Sequence, residues 1–312
     1  MREPVSHIRY LTREEIDIAK WDNCIINARN GLIYAHSFYL DAMAENWSAL
    51  IEDDYSRVMP LTWNKKFGFH YLYQPYFTKT LGVFGNGSIP FEISRFLHAI
   101  PKKFRLWDID INEKNFISGN HSNIRLKQDT RTNYFLSLHQ TYELISFQYK
   151  RLAKRAKKKA NENLLQIDRS GNLSSVIQLQ RLHYSSKQPG IPAHVYDKLM
   201  LCASLLFKNK QAAAYVALSP AGAILAWYLI FTDQHFVYSV LGGSTEMGKK
   251  TGAFYLLTDA VIQDYAGTEK TFRFEGSDIP GIAFFNALFN PVPVEYQHVK
   301  MNGLPFPVNL FK

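Results

Sequence analysis

A chain of 312 residues with 46% hydrophobic and 20% charged side chains has a globular composition and is long enough for two domains or one large one. No stretch approaches the roughly 20 apolar residues of a membrane-spanning helix, and the opening Met1-Arg2-Glu3-Pro4-Val5-Ser6-His7 lacks the apolar core of a signal peptide. The net charge is +9, and the two cysteines, Cys24 and Cys202, give neither metal spacing nor a disulfide framework, so a cytoplasmic protein without a metal is expected.

In chain order, Ile8 to Leu11 reads as a strand. Thr12-Arg13-Glu14-Glu15 then reads as a capping box that starts a helix running toward Ala28. A helix over 37–46 follows, then strands over 47–53, 56–63 and 69–74, the last two joined through Asn64-Lys65-Lys66-Phe67-Gly68. Gly82, Gly85, Gly87 and Pro90 mark a loop before a helix over 91–100 and a strand over 105–111. Two further strands are expected at 126–127 and 132–138.

One helix is predicted over 142–163, and the pattern then repeats. A strand (164–169) and two helices (172–187 and 193–208) precede three strands over 212–218, 223–231 and 236–241. A helix from about Thr251 to Tyr265, a strand over 271–275, a helix over 280–289 and a strand over 294–300 complete the chain. Each half thus runs strand, two helices, three antiparallel strands, helix, strand, which implies a duplication. The fold class expected is mixed α/β (α+β): two tandem domains, 1–140 and 141–312, each a mixed, largely antiparallel sheet flanked by helices.

Much of the positive charge sits in Lys150, Arg151, Lys154, Arg155, Lys157, Lys158 and Lys159. At 100° per residue these cover one broad arc, with Leu152, Ala153, Ala156 and Ala160 opposite. The helix is either a solvated charged face or an anion-binding ridge, with Arg155 and Lys158 as contacts and tRNA or an anionic membrane surface as partner.

Gly242-Gly243-Ser244 closes a strand, and Lys249, Lys250, Thr251 and Gly252 precede the long helix. Glycines and a helix N-terminus suit a pyrophosphate or carboxylate; an ordinary loop with solubilising lysines is the alternative. The glycine spacing matches neither a P-loop nor a dinucleotide fingerprint.

The stretch Phe274-Glu275-Gly276-Ser277-Asp278-Ile279-Pro280-Gly281 reads as a strand end, a polar turn and a helix start. Glu275 is placed to take a proton from an attacking amine, directly or through water, with Asp278 as second choice; equally, Glu275 caps the following helix or pairs with Arg273. Tyr228 and Tyr238, on neighbouring strands, are candidates for protonating a leaving group, and Ser277 for touching the acceptor.

These residues carry a family resemblance. Phe274-Glu275-Gly276-Ser277, Ile279-Pro280-Gly281, Phe285 and Phe289 resemble the C-terminal motif of Fem-type and related GNAT-like acyltransferases. Met59-Pro60-Leu61, Gln74-Pro75-Tyr76-Phe77-Thr78 and Leu81-Gly82-Val83-Phe84 resemble their first domain, and Tyr149 to Asn161 their basic helix. The resemblance implies tandem GNAT-like domains, each sheet splaying between its fourth and fifth strands, with an amine or peptide-like acceptor in an interdomain cleft that Tyr76 would help line. It implies acyl-CoA as co-substrate, with aminoacyl-tRNA, which Fem-type enzymes use, as the alternative. Backbone N–H groups near Val240 to Gly243 would hold the acyl carbonyl and the Thr251 helix the donor phosphates. A non-catalytic polyanion-binding module of the same fold is the remaining reading.

Overall fold

The computed structural model describes residues 7–118, 126–184, 191–276 and 278–305. The chain divides into two compact units, Met1–Arg131 with Glu295–Lys312, and Thr132–Val294.

The first unit opens with β1 (Ile8–Thr12), whose last residue donates its N–H to the Glu15 carboxylate at 2.8 Å. The capping box therefore forms, but it starts only a 3-10 turn; the helix proper, α1 (Ile18–Asn27), is capped separately by Asp17. Next come α2 (Ser37–Met43), β2 (Asn46–Glu52), β3 (Arg57–Lys66) and β4 (Phe69–Tyr73). The short strands β5 (Phe84–Gly85) and β6 (Phe91–Glu92) precede α3 (Ser94–Ala99), β7 (Phe104–Ile111) and β8 (Asn115–Phe116). The strand β9 (Leu126–Ser137) crosses between the units as one element where two were expected.

The second unit holds α4 (Tyr142–Phe147) and α5 (Arg151–Glu162), where a single helix was predicted, then β10 (Gln166–Asp168), α6 (Leu173–Tyr184) and α7 (Ala193–Lys208). It continues through β11 (Ala212–Leu218), β12 (Ile224–Thr232), β13 (Phe236–Ser244), α8 (Glu246–Thr251), α9 (Ala253–Tyr265), β14 (Thr271–Arg273) and α10 (Pro280–Asn286). The last strand, β15 (Val292–Asn302), returns most of its length to the first unit.

Within the first unit the strand order is β1-β2-β3-β4-β7-β15; within the second it is β10-β11-β12-β13-β14-β9. Each has one parallel step, β4 with β7 and β13 with β14, and antiparallel neighbours elsewhere. The mixed, largely antiparallel sheet flanked by helices is the class the sequence predicts. β12 reads Ile-Leu-Ala-Trp-Tyr-Leu-Ile-Phe-Thr and is buried along nearly its whole length, as a central strand covered on both faces requires. Its residues Tyr228 and Ile230 join Leu257 and Val261 of α9, Phe272 and Phe289 in the core of the second unit. In the first unit Leu50, Leu61, Leu72, Phe96 and Trp107 do the same work.

Candidate functional site

The two parallel strands of the second unit pair only over Phe236↔Thr271, Val237↔Phe272 and Tyr238↔Arg273. β13 runs on to Ser244, whereas β14 ends at Arg273, and the Phe274 N–H continues the ladder to Tyr134 on β9 (3.0 Å). From Ser239 to Ser244 the edge of β13 turned away from β12 therefore has no strand partner among the described residues. The sheet opens between its fourth and fifth strands.

A bulge lies at the start of this free edge. Ser239 pairs with Ile230 and Leu241 with Leu229, so Val240 is the extra residue. A bulge re-aims the backbone that follows it, and the unpaired edge offers N–H donors to whatever enters the opening.

Strand parity divides the candidates between the two sheet faces. On the α9 face, the Tyr228 ring lies 4.9 Å from that of Phe254, and a Cβ at Gly242 would lie 2.7 Å from the Phe254 ring and 2.8 Å from the Tyr228 ring. Phe254 in turn meets Phe285 (5.2 Å), Phe285 meets Phe289 (5.3 Å), and Phe289 meets Phe274 (5.9 Å). A continuous file of rings thus runs from β13 to the end of β14. Tyr228 is 2% exposed and its hydroxyl donates to Ser239 Oγ at 2.9 Å; burial pushes its pKa up, so it holds its proton.

On the opposite face Arg273, 1% exposed, is surrounded by the rings of Phe135, Phe236 and Tyr238. Its Nε donates to Glu275 Oε1 at 3.1 Å, and Asn133 Nδ2 donates to Glu275 Oε2 at 2.9 Å. Asn286 Nδ2 reaches the Glu275 carbonyl at 3.3 Å. The pair with Arg273, one of the readings open for Glu275, is formed. Glu275 also has φ +47°, followed by Gly276 at +68°. A non-glycine residue in this region costs roughly 1–3 kcal/mol, and here the three polar contacts hold it there.

Other candidates sit differently from expectation. The Tyr238 hydroxyl donates to Asp233 Oδ2 in the turn before β13, which commits it to the end of the strand away from Gly242. Gly242, Gly243 and Ser244 do close a strand, β13. The segment after them is α8, capped by the Thr245 hydroxyl, which accepts from the Gly248 N–H. Thr251 ends that helix, is buried, and donates its hydroxyl to the Met247 carbonyl at 2.9 Å, so it opens no helix. Lys249 is ion-paired with Glu246 at 2.7 Å, and Lys250 is exposed. Gly252 caps α8 with φ +79°, gives its N–H to carbonyls of α8, and would place a Cβ 2.5 Å from the Ala156 carbonyl of α5. The phosphate cradle expected at Thr251–Gly252 is thus closed by the molecule's own backbone, and these residues do not fit a pyrophosphate there.

Asp278 is exposed in the turn before α10, and Ser277 lies outside the described residues. Arg155 and Lys158 are exposed on α5, and Tyr76, 43% exposed, lies in the first unit. Sequence reasoning missed Phe254, which covers Gly242, and Asn133 and Asn286, which hold Glu275; none stands in a motif. Among the described residues no cluster of His, Cys, Asp and Glu is placed to hold a metal ion, and no helix is long and apolar enough to cross a membrane.

No family model and no curated protein matches the sequence. Among solved structures the chain is similar to FemX, with TM-score 0.65 at 10% identity over 97% of this chain and 99% of that one. It is also similar to a conserved protein of unknown function from Bacteroides thetaiotaomicron (0.59, 10%, covering 95% and 100%). A third likeness is to the C-terminal domain of a putative lysylphosphatidylglycerol synthetase from Agrobacterium fabrum (0.57, 9%, covering 95% and 94%). At these identities the likeness is one of fold.

Proposed function

We propose that this protein is an acyltransferase that moves an acyl group from an activated ester or thioester to an amine, at the opening between β13 and β14. The observation that carries this reading is the parallel pair that parts after Tyr238 and Arg273, with the Val240 bulge at the root of the freed edge. An acyl carbonyl laid in the opening meets backbone N–H donors of the Ser239–Ser244 edge, and such preorganised donors stabilise the oxyanion of a tetrahedral intermediate. The file of rings from Phe254 to Phe289 provides an apolar wall that excludes water from the ester. The amine approaches from the Arg273–Glu275 face. There the ion pair fixes the turn, and Glu275 or Asp278 passes the amine's proton on through water to the departing alkoxide or thiolate, which leaves as the alcohol or thiol.

The fold likeness to FemX and to the C-terminal domain of a putative lysylphosphatidylglycerol synthetase supports a transferase reading. The repeated strand order supports reading the chain as two GNAT-like units. The resemblance names two donors, acyl-CoA and aminoacyl-tRNA. Because Gly252 is covered by α5, acyl-CoA would have to be held by groups other than a Thr251–Gly252 cradle.

The test is a donor panel. The folded chain is incubated with acyl-CoAs and with charged tRNA in the presence of peptide-like amines, and the acylated amine is read by mass spectrometry. Transfer from either donor, lost on deleting Val240, supports the reading. If neither donor gives product with any amine, or if product survives the deletion, the opening is not the transfer site.

A further inference from the structure

We propose that the face formed by α4 and the outer side of α5 docks this protein onto an anionic lipid surface. On α5, Arg151, Lys154, Arg155 and Lys159 have no ion-pair partner among the described residues. Lys157 is held inward by Asp259 at 2.8 Å, and Lys158 stands 3.7 Å from Glu162. Most of the helix's charge is therefore displayed, not neutralised.

Beside it lie apolar side chains that have no structural use where they stand. Phe147 is 79% exposed and Leu144, one turn earlier on the same face of α4, is 55% exposed. The Lys154 ammonium lies 5.0 Å over the Phe147 ring and donates to the Phe147 carbonyl at 2.6 Å, so cation and ring are presented together. Phe147, Lys154 and Lys158 line one surface groove between the two helices. By contrast Tyr149, two residues on, is 4% exposed, its ring packed on Phe289. Within this stretch the outward display of α4 therefore ends before Tyr149, and on α5 Leu152 is 45% exposed.

A single exposed apolar residue needs no explanation. Exposed Leu and Phe next to several unpaired cations match the two demands of an anionic bilayer, in which apolar side chains enter the headgroup boundary while Lys and Arg meet lipid phosphates. A nucleic acid would satisfy the cations and could stack on Phe147, but it offers nothing to Leu144.

The experiment sediments the full chain with phosphatidylcholine vesicles, with and without phosphatidylglycerol, and measures polyribonucleotide binding in parallel. Two double variants are compared, Leu144→Ser with Phe147→Ser and Arg151→Glu with Arg155→Glu, both at exposed positions and both checked for native circular dichroism. The expected result is binding to the anionic vesicles only, weakened about tenfold or more by each variant and weakened by salt. Three results overturn the proposal: no binding to anionic vesicles, vesicle binding indifferent to the Leu144 and Phe147 changes, or displacement from vesicles by polyribonucleotide, which would assign the face to nucleic acid instead.

Discussion

Arg273 Nε and Glu275 Oε1 lie 3.1 Å apart, and with side chains 1% and 9% exposed they form a buried ion pair spanning three residues of chain. Removing one partner leaves the other buried charge without its ion pair, which costs about 3–5 kcal/mol. Glu275→Gln is therefore expected to lower the urea midpoint sharply, whatever it does to transfer. Replacing Arg273 and Glu275 together by Met and Gln should recover much of that loss, because no lone charge remains. If Glu275 also relays a proton, the double variant regains stability but not turnover; if it only braces the turn, both return together.

Gly252 and Gly242 separate two kinds of tight packing. Gly252 has φ +79° and faces the Ala156 carbonyl, a backbone atom that moves only with α5. Gly252→Ala combines left-handed strain of roughly 1–2 kcal/mol with overpacking of about 1–3 kcal/mol, and should loosen α5, seen as faster hydrogen exchange in 151–162. The atoms nearest a Cβ at Gly242 belong to the Phe254 and Tyr228 rings. Gly242→Ala should cost less stability than Gly252→Ala, yet by tilting Phe254 out of the ring file it should reduce transfer more.

The sequence showed α7 and β11 to the residue, because apolar periodicity and turn residues at both ends are local signals. It did not show the break at 148–150, where neither Gly nor Pro stands. That break is made by tertiary contacts: Tyr149 turns inward onto Phe289, and the Lys150 N–H donates to the Leu288 carbonyl at 2.9 Å. Likewise Gly248 to Lys250 look like loop residues. They are helical because Thr245 caps them and because Gly248 lies against the Leu225 carbonyl, where a Cβ would come within 2.0 Å. At the site, the Arg273–Glu275 pair was one of three readings open for Glu275, beside proton acceptor and helix cap. The positive φ of Glu275 and its grip by Asn133, 142 residues away, were not visible, since no pattern links those positions.

Lys157 anchors α5 to α9 by its ion pair with Asp259, whose carboxylate also accepts from the Tyr142 hydroxyl at 2.8 Å. Burial acts to lower the Lys157 pKa, but the hydrogen bonds to Asp259 and Tyr142 outweigh it and leave the value raised from 10.5. A group raised on folding contributes stability that is fully present below its unfolded value and is lost as pH rises through its folded value. Wild type should therefore exceed Lys157→Met in stability by about 2–4 kcal/mol at pH 8, with the gap constant to about pH 10 and shrinking above it. Urea titrations of both proteins from pH 7 to 11.5 measure this; a gap that closes between pH 7 and 9 would mean another group holds the helix.

Val240 and Tyr228 test whether the opening works through backbone or side chain. Val240 is the extra residue between the Ser239 and Leu241 pairings, so deleting it removes the bulge and leaves Leu241–Ser244 opposite their present partners on β12. Gly242 then still faces Phe254, but the strand is no longer bent at Val240, so the N–H groups of the freed edge are aimed differently into the opening. Tyr228→Phe removes only the hydroxyl that donates to Ser239, a single neutral hydrogen bond whose loss costs about 1–2 kcal/mol. The ring, packed on Phe254, stays. If the freed β13 edge holds the acyl carbonyl, deleting Val240 abolishes transfer while Tyr228→Phe leaves KM and kcat within about threefold, the small loss expected when no substrate contact is removed. A large fall in kcat for Tyr228→Phe, with stability little changed, would instead make the buried hydroxyl a proton donor and move the chemistry from the strand edge to the ring.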